Sequence, residues 1–230
     1  MANIENLFAF DFDDTLAITT SSIGVRRITV DGKSDPGFRD WIIDNDLDIE
    51  DIENPDSDEE LIWFSSGDFS KYEKAHRADL DYLSANSFKD EYDFSKVKTV
   101  DLEGTIPVNS ILNILKQAQN SSDSKVVIIT ARAGNQNQTD IQDFLTAQGI
   151  DLRISDITTA GDLGAGPSAK VAAMDSYIKA YSPKNIFFYD DNQGNISAIA
   201  GMCEKYFPEI SIKTFTVDEN GNATLTGGCW

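Results

Sequence analysis

Two pairs of carboxylates each follow an apolar run with the length of a buried strand. Asp11 and Asp13 come directly after residues 7–10, and Asp190-Asp191 closes the run 186–189. A spacing of two lets Asp11 and Asp13 point one way if the chain stays extended. Carboxylates so placed repel each other, and a cation between them offsets the repulsion; hard Mg²⁺ takes oxygen ligands of this kind. Two further residues suit a phosphate beside such a metal. Thr130 ends the apolar run 126–129, and Lys170 lies near the start of a helical pattern after Gly166-Pro167-Ser168. A hydroxyl and nearby backbone N–H groups bind nonbridging oxygens, while an ammonium offsets the charge of a phosphoryl group and its carboxylate neighbours. Phosphoryl transfer asks mainly for positioning and electrostatic support.

The elements that carry these residues have to bring them together. Strand-like runs at 7–10, 126–129 and 186–189, with a shorter one around 152–154, alternate with helical patterns. The helices fall at 109–119, at 140–148 between a Thr139 cap and Gly149, and at 169–180. Alternation of this kind predicts an α/β fold with a doubly wound, Rossmann-like parallel sheet, in which the carboxyl ends of the strands share one crevice and the two acidic pairs meet. Residues 19–105 break the alternation, since a βα connection usually takes only about 2–6 residues. They are read as an inserted subdomain, with 1–18 and 106–230 forming the core. Inside it, 23–30 reads as a strand ending in the turn Asp31-Gly32, and Ser34-Asp35-Pro36 as the cap and first turn of a helix through Trp41. A second helix, 69–83, puts Phe69, Tyr72, His76, Leu80 and Leu83 on one face. At the C-terminus, 212–217 and 223–225 read as a hairpin around residues 219–222.

The 230 residues, 40% hydrophobic, suffice for one substantial core and an insert. A net charge of −20 and a pI near 4.2 oppose binding to a long nucleic acid or an acidic membrane. A small phosphorylated molecule needs only a local positive site and is the expected partner; the terminal phosphate of a nucleic acid is the alternative. Charge is uneven: residues 31–105 hold 22 Asp and Glu against 8 Lys and Arg, a net of −14, which leaves −6 for the rest. Residues 44–60 carry ten acids and no base, which predicts an exposed, mobile loop. The first ten residues lack the basic flank and apolar stretch of a secretion signal, and no run of about 18 apolar residues occurs, so a soluble cytoplasmic protein is expected. Cys203 and Cys229 are too few and too far apart for a metal cluster or disulfide framework, and read as a packed thiol and a tail thiol. His76, the single histidine, reads as a packing residue. Arg26, Arg27 and Lys33 read as surface charge.

Taken in order, Asp-x-Asp-Asp-Thr at 11–15, then Thr130, Lys170 and Asp190-Asp191, resemble the four motifs of the haloacid dehalogenase superfamily. The similarity spans residues 8–195 and omits the insert, whose place between the first two motifs resembles a C1-type cap, a lid that selects substrates. The resemblance implies a phosphatase in which Asp11 attacks phosphorus to form an aspartyl-phosphate, and Asp13 protonates the leaving group and then activates water. Thr130 and Lys170 would act on the phosphate. It also implies Mg²⁺ held by the Asp11 carboxylate, the Asp13 backbone carbonyl and an acid of the last pair. Asp191 aligns with the usual Gly-Asp there, while Asp190 could contribute through water. Thr130-Ala131-Arg132 is similar to the second motif of polynucleotide 3′-phosphatase-type and some lipid-phosphatase-type relatives, which implies that Ala131 and Arg132 bind the substrate phosphate. The last motif departs from the longer family form, with Asn195 standing where a third acid would be.

Two other functions remain at this level. One is a phosphotransferase or mutase using the same Asp11 intermediate. The other is a noncatalytic, receiver-like phosphate-binding module, although a receiver keeps its phosphorylated Asp on a middle strand and here the acidic motifs open and close the set. The Gly-x-x-x-x-Gly-Lys-Ser/Thr loop of P-loop kinases does not occur.

Overall fold

A computed structural model describes residues 4–79, 88–97, 100–163 and 166–229. The chain forms two compact units, one of Met1–Thr19 with Lys98–Trp230 and one of Thr20–Val97. The first unit begins with strands β1 (Asn6–Phe10) and β2 (Ala17–Ile18). The second runs through β3 (Ser22–Ile28), α1 (Phe38–Asp44), β4 (Asp51–Glu53), β5 (Leu61–Ser65), α2 (Ser66–Ala78) and β6 (Lys89–Asp93). The first resumes with β7 (Ile106–Pro107), α3 (Asn109–Gln119), β8 (Ser124–Thr130), α4 (Asn135–Ala147) and β9 (Ile157–Thr159). It ends with α5 (Pro167–Tyr181), β10 (Asn185–Asp190), α6 (Gln193–Tyr206), β11 (Ser211–Val217) and β12 (Ala223–Cys229).

The central sheet of the first unit has the order β12-β11-β10-β1-β8-β9 and is parallel except for β12, so the fold is Rossmann-like α/β. Burial on both faces explains why its inner strands are continuous apolar runs rather than alternating ones. Leu7, Ala9, Val127, Ile129, Ile186 and Phe188 face one core, which α5 and α6 cover with Ala173, Met174, Ile199 and Cys203. Phe10, Val126, Ile128 and Tyr189 face the other, covered by α3 and α4 through Leu112, Leu115, Ile141 and Phe144. Each buried Leu, Ile, Val, Phe or Met among them contributes about 1.5–3 kcal/mol. An aromatic row locks the central strands on this side: Phe10 stacks on Tyr189 at 4.8 Å and Tyr189 on Phe215 at 4.5 Å. The chain moves from β1 to β8 on one side and later to β10 on the other, which places the topological switch at the carboxyl end of β1.

Several local readings change. The strand expected around 152–154 lies further on, at β9, because Ile154–Asp156 form a turn of 3₁₀ helix that brings Ile157 against Ile128. Helix α4 begins at Asn135, not at a Thr139 cap; positive φ at Gly134 (88°) turns the chain into it, and the Thr139 hydroxyl bonds back to the Asn135 carbonyl. Helix α6 has no counterpart among the expected elements, since its polar Gln193-Gly194-Asn195 start hides the buried Ile196, Ile199 and Met202. Cys203 is buried, in line with a packed thiol; the Cys229 side chain lies outside the described residues. Among the described residues no helix is long and apolar enough to cross a membrane.

The second unit is an antiparallel sheet, β4-β5-β3-β6, with its own core of Val25, Phe38, Ile42, Ile62, Phe64 and Tyr72. Strand β4 falls inside the acidic stretch read as a loop, because Ile52 pairs with Ile62 of β5. Helix α2 starts earlier than expected, capped by the Ser65 side chain on Asp68 N; Leu80 and Leu83 lie outside the described residues. Arg27 is not a surface charge. It is 1% exposed, with its guanidinium 4.4 Å from both the Phe38 and Trp41 rings and its Nε donating to Asp90 at 3.0 Å. His76 packs at the same place, Nδ1 2.7 Å from Asp90, consistent with a structural role.

Candidate active site

Register brings the two acidic motifs side by side. Phe10 pairs with Tyr189 across β1 and β10, and Asp11 N donates to the Tyr189 carbonyl at 2.9 Å, so the next residues, Asp11 and Asp190, sit at neighbouring strand ends. Carboxylate oxygens of Asp11, Asp190 and Asp191 lie within 4.8 Å of one another. Lys170, from the first turns of α5, bridges two of them: its Nζ is 2.8 Å from Asp11 Oδ1 and 2.8 Å from Asp190 Oδ2. Asp190 is fully buried and fixed further by the Asn192 N–H and the Asn195 amide, each at 2.9 Å on Oδ1. Asn195, which stands in place of a third acid, thus orients the last motif through its side chain. Asn192 caps α6 and so sets where that turn begins.

Charge in this cluster exceeds what one lysine neutralises. Burial, with Asp190 and Asp13 adding to it against Lys170, pushes Asp11 up to about 7. Burial first, then the charges of Asp190 and Asp11, raise Asp191 well above the usual carboxylate range. Burial works against a charged Lys170, yet Asp11 and Asp190 more than offset it and hold the ammonium above the ordinary lysine range. Lys170 approaches Asp11 Oδ1 as an ion pair, and that buried oxygen has no hydrogen-bond partner among the described residues. An all-carboxylate donor set with excess negative charge and an unsatisfied oxygen fits a hard divalent cation. Asp191 is half-buried and makes no hydrogen bond or ion pair with the described residues, so of the last pair it is the freer ligand.

The raised Asp11 has a consequence for the metal-free protein. Between its ordinary value of 3.8 and about 7, the unfolded chain releases a proton that the native state keeps, so stability falls as pH rises through that window. Asp11→Asn removes the titration. In EDTA, urea midpoints of the Asn variant are expected to gain on wild type between pH 5 and pH 8; parallel curves would show that Asp11 titrates normally.

Asp13 stands apart from the carboxylate cluster. Beyond β1 the chain does not stay extended: Asp14 takes φ 56° and Leu16 N bonds back to the Phe12 carbonyl, which closes a turn. The Asp13 carboxylate goes to Arg132, whose Nη2 is 2.7 Å from Oδ1 and whose Nε is 2.9 Å from Oδ2. The Thr19 hydroxyl adds 2.7 Å to Oδ1, and the Thr130 hydroxyl reaches Oδ2 only at 3.5 Å. Thr130 is fully buried at the end of β8 and also accepts from Arg132 N at 3.2 Å, while Ala131 is exposed. Sequence reasoning missed Thr19 and Asn137, which accepts from Arg132 Nη1 at 3.2 Å; neither belongs to a motif. It also missed Gly161. A Cβ there would lie 2.4 Å from the Ala131 carbonyl oxygen, so only glycine lets this segment support the Thr130–Arg132 turn. A small residue just after a strand was the available signal.

Fold and site together define an α/β protein with an acidic, lysine-bridged cluster at the carboxyl ends of parallel strands. No family model and no curated protein sequence matches the chain. Two similar solved structures are formyltetrahydrofolate deformylases. The one from Burkholderia mallei ATCC 23344 is 8% identical, with 85% of this chain and 67% of that one covered at a TM-score of 0.23. The one from Pseudomonas putida KT2440 is 10% identical, with 86% and 69% covered at 0.24. Similarity at that level bears on neither the fold nor the activity.

Proposed function

We propose that this chain is a Mg²⁺-dependent phosphomonoester hydrolase of the haloacid dehalogenase type, acting on small phosphorylated molecules through Asp11. The observation that carries the reading is the convergence of Asp11, Asp190 and Asp191 around Lys170 at the ends of β1 and β10. Asp11, Asp190 and Asp191 would hold the cation, which when bound supplies positive charge to nonbridging phosphate oxygens. Lys170 keeps Asp11 near the reacting phosphorus and adds charge of the same sign.

An Asp11 carboxylate oxygen attacks phosphorus, the ester P–O bond breaks, and its electron pair goes to the leaving oxygen, which takes a proton from Asp13. Water then attacks the phosphorus of the aspartyl-phosphate and gives its proton to Asp13, the acyl P–O bond breaks, and Asp11 and inorganic phosphate are released. Thr130 supports the phosphate from β8, where its hydroxyl is fixed by Arg132 N.

The test is phosphate release from p-nitrophenyl phosphate, nucleotides, sugar phosphates and terminally phosphorylated oligonucleotides. Wild-type protein with Mg²⁺ is expected to turn over at least one of them, EDTA to stop it, and added Mg²⁺ to restore it. Full activity in EDTA sinks the metal's part, and no release from any substrate sinks the whole reading.

A further inference from the structure

We infer that Arg132 works through Asp13, as the residue that orients and holds its carboxylate, and does not bind the substrate phosphate; this rests on the phosphatase reading. Arg132 is 4% exposed, and its donors are already directed at the protein. Nε donates to both Asp13 oxygens, at 3.2 Å and 2.9 Å, and Nη2 to Oδ1 at 2.7 Å. Nη1 donates to Asn137 Oδ1 at 3.2 Å, and the Asn137 amide in turn donates to the Ala133 carbonyl at 2.7 Å, which ties the group to the loop after β8. Nη2 also lies 3.4 Å from the Thr19 oxygen, whose hydroxyl binds the same Asp13 oxygen. Binding phosphate would mean giving up buried, charge-assisted bonds and leaving Asp13 without its partner.

An exposed pair of this kind would ordinarily be structural and weak. Here the arginine is buried and Asp13 half-buried, and the acid is the group that the mechanism uses for proton transfer. The donors also distinguish the two oxygens. Oδ1 receives Arg132 Nη2, Arg132 Nε and Thr19, whereas Oδ2 receives Arg132 Nε and only the long approach from Thr130. A carboxyl proton needs an unfilled lone pair, so Oδ2 is the oxygen that gives its proton to the leaving oxygen as the ester P–O bond breaks and takes one back from water in the second step. A planar fork stops the carboxylate rotating, which keeps that oxygen in one place for both transfers.

The experiment compares Arg132→Lys, Asp13→Asn and the double variant with wild type in Mg²⁺. Two substrates are used: p-nitrophenyl phosphate, whose leaving group needs no proton, and glycerol phosphate, whose leaving group does. Lysine keeps the charge and loses the fork. We expect kcat to fall about 10-fold on the aryl ester and at least about 100-fold on the alkyl ester, with KM changing less than about 3-fold. In the Asp13→Asn background the same change should alter kcat on the aryl ester by less than about 2-fold, because the two residues act as a unit. Thr19→Val, which removes a donor to the same carboxylate and leaves the guanidinium its own bonds to Asp13, should show the same leaving-group dependence more weakly, and it carries the test if Arg132→Lys does not fold. A KM rise of about 10-fold with kcat kept, losses that multiply in the double variant, or a Thr19→Val loss equal on both esters would overturn the inference. Wild-type protein inactive on every ester overturns the phosphatase reading itself, and the inference with it.

Discussion

Asp11→Asn is expected to lower kcat on p-nitrophenyl phosphate by at least about 10⁴-fold, because an amide oxygen is a poor nucleophile. Asp190 and Asp191 share the cluster with it, but Asp190 is fully buried and held by Lys170, Asn192 and Asn195, so it cannot turn to attack. The substitution also removes one of three carboxylates that would hold the cation, so Mg²⁺ binding should weaken together with the rate. A second measurement separates the two effects. Wild-type enzyme quenched in acid during turnover should carry a hydroxylamine-sensitive phosphate, and the Asn variant should carry none even at saturating Mg²⁺. Labelled phosphate on the Asn protein, or unimpaired turnover by it, places the nucleophile elsewhere.

Lys170→Met is expected to destabilise the metal-free protein by about 3–5 kcal/mol at pH 8, since removing one partner of a buried ionic cluster leaves the others uncompensated. The ammonium is 2% exposed, and two carboxylates lie 2.8 Å from it with Asp191 beside them. Methionine keeps most of the volume, so the loss reports charge rather than a cavity. Two dependences follow from the same physics. The deficit should shrink toward pH 5, where Asp11, pushed up to about 7 even with the lysine present, takes up a proton and relieves the repulsion. It should also shrink on adding Mg²⁺, because a divalent cation would supply the missing positive charge. Turnover should nevertheless fall by about 10²–10³-fold, the usual loss of one preorganised charge at a reacting centre. Urea midpoints of both proteins with and without Mg²⁺ decide the matter; a deficit below about 1 kcal/mol in EDTA at pH 8 would mean that the cluster is stabilised by other means.

Much of the core was legible because its strands are buried on both faces. Runs such as Leu7 to Phe10 have to be apolar throughout, and acids at their ends are therefore conspicuous; α3 was readable to its last residue from the spacing of Ile111, Leu112 and Leu115. Helix α6 and β9 were less so, since one opens with polar residues and the other is three residues long. The second unit was read only in part. Its sheet is antiparallel and its core includes a charged residue: Arg27 is buried because two aromatic rings and Asp90 surround it, and nothing in the residues near Arg27 announces partners 11 to 63 positions away.

Local pattern marks which side chains could do chemistry and the kind of fold that would carry them: Asp11, Asp13, Thr130, Lys170 and the last acid pair each stand beside a strand or helix end whose apolar pattern is local. Tertiary structure alone decided how they are shared out. Register between β1 and β10 puts Asp11 with Asp190 and Asp191 around one lysine, while the turn at Asp14 sends the neighbouring Asp13 to Arg132, 119 residues away. Two carboxylates spaced for one cluster thus take different partners. The reason is that side-chain direction past the end of a strand depends on the backbone turn and on the charges that meet it, and both are set by packing between distant segments.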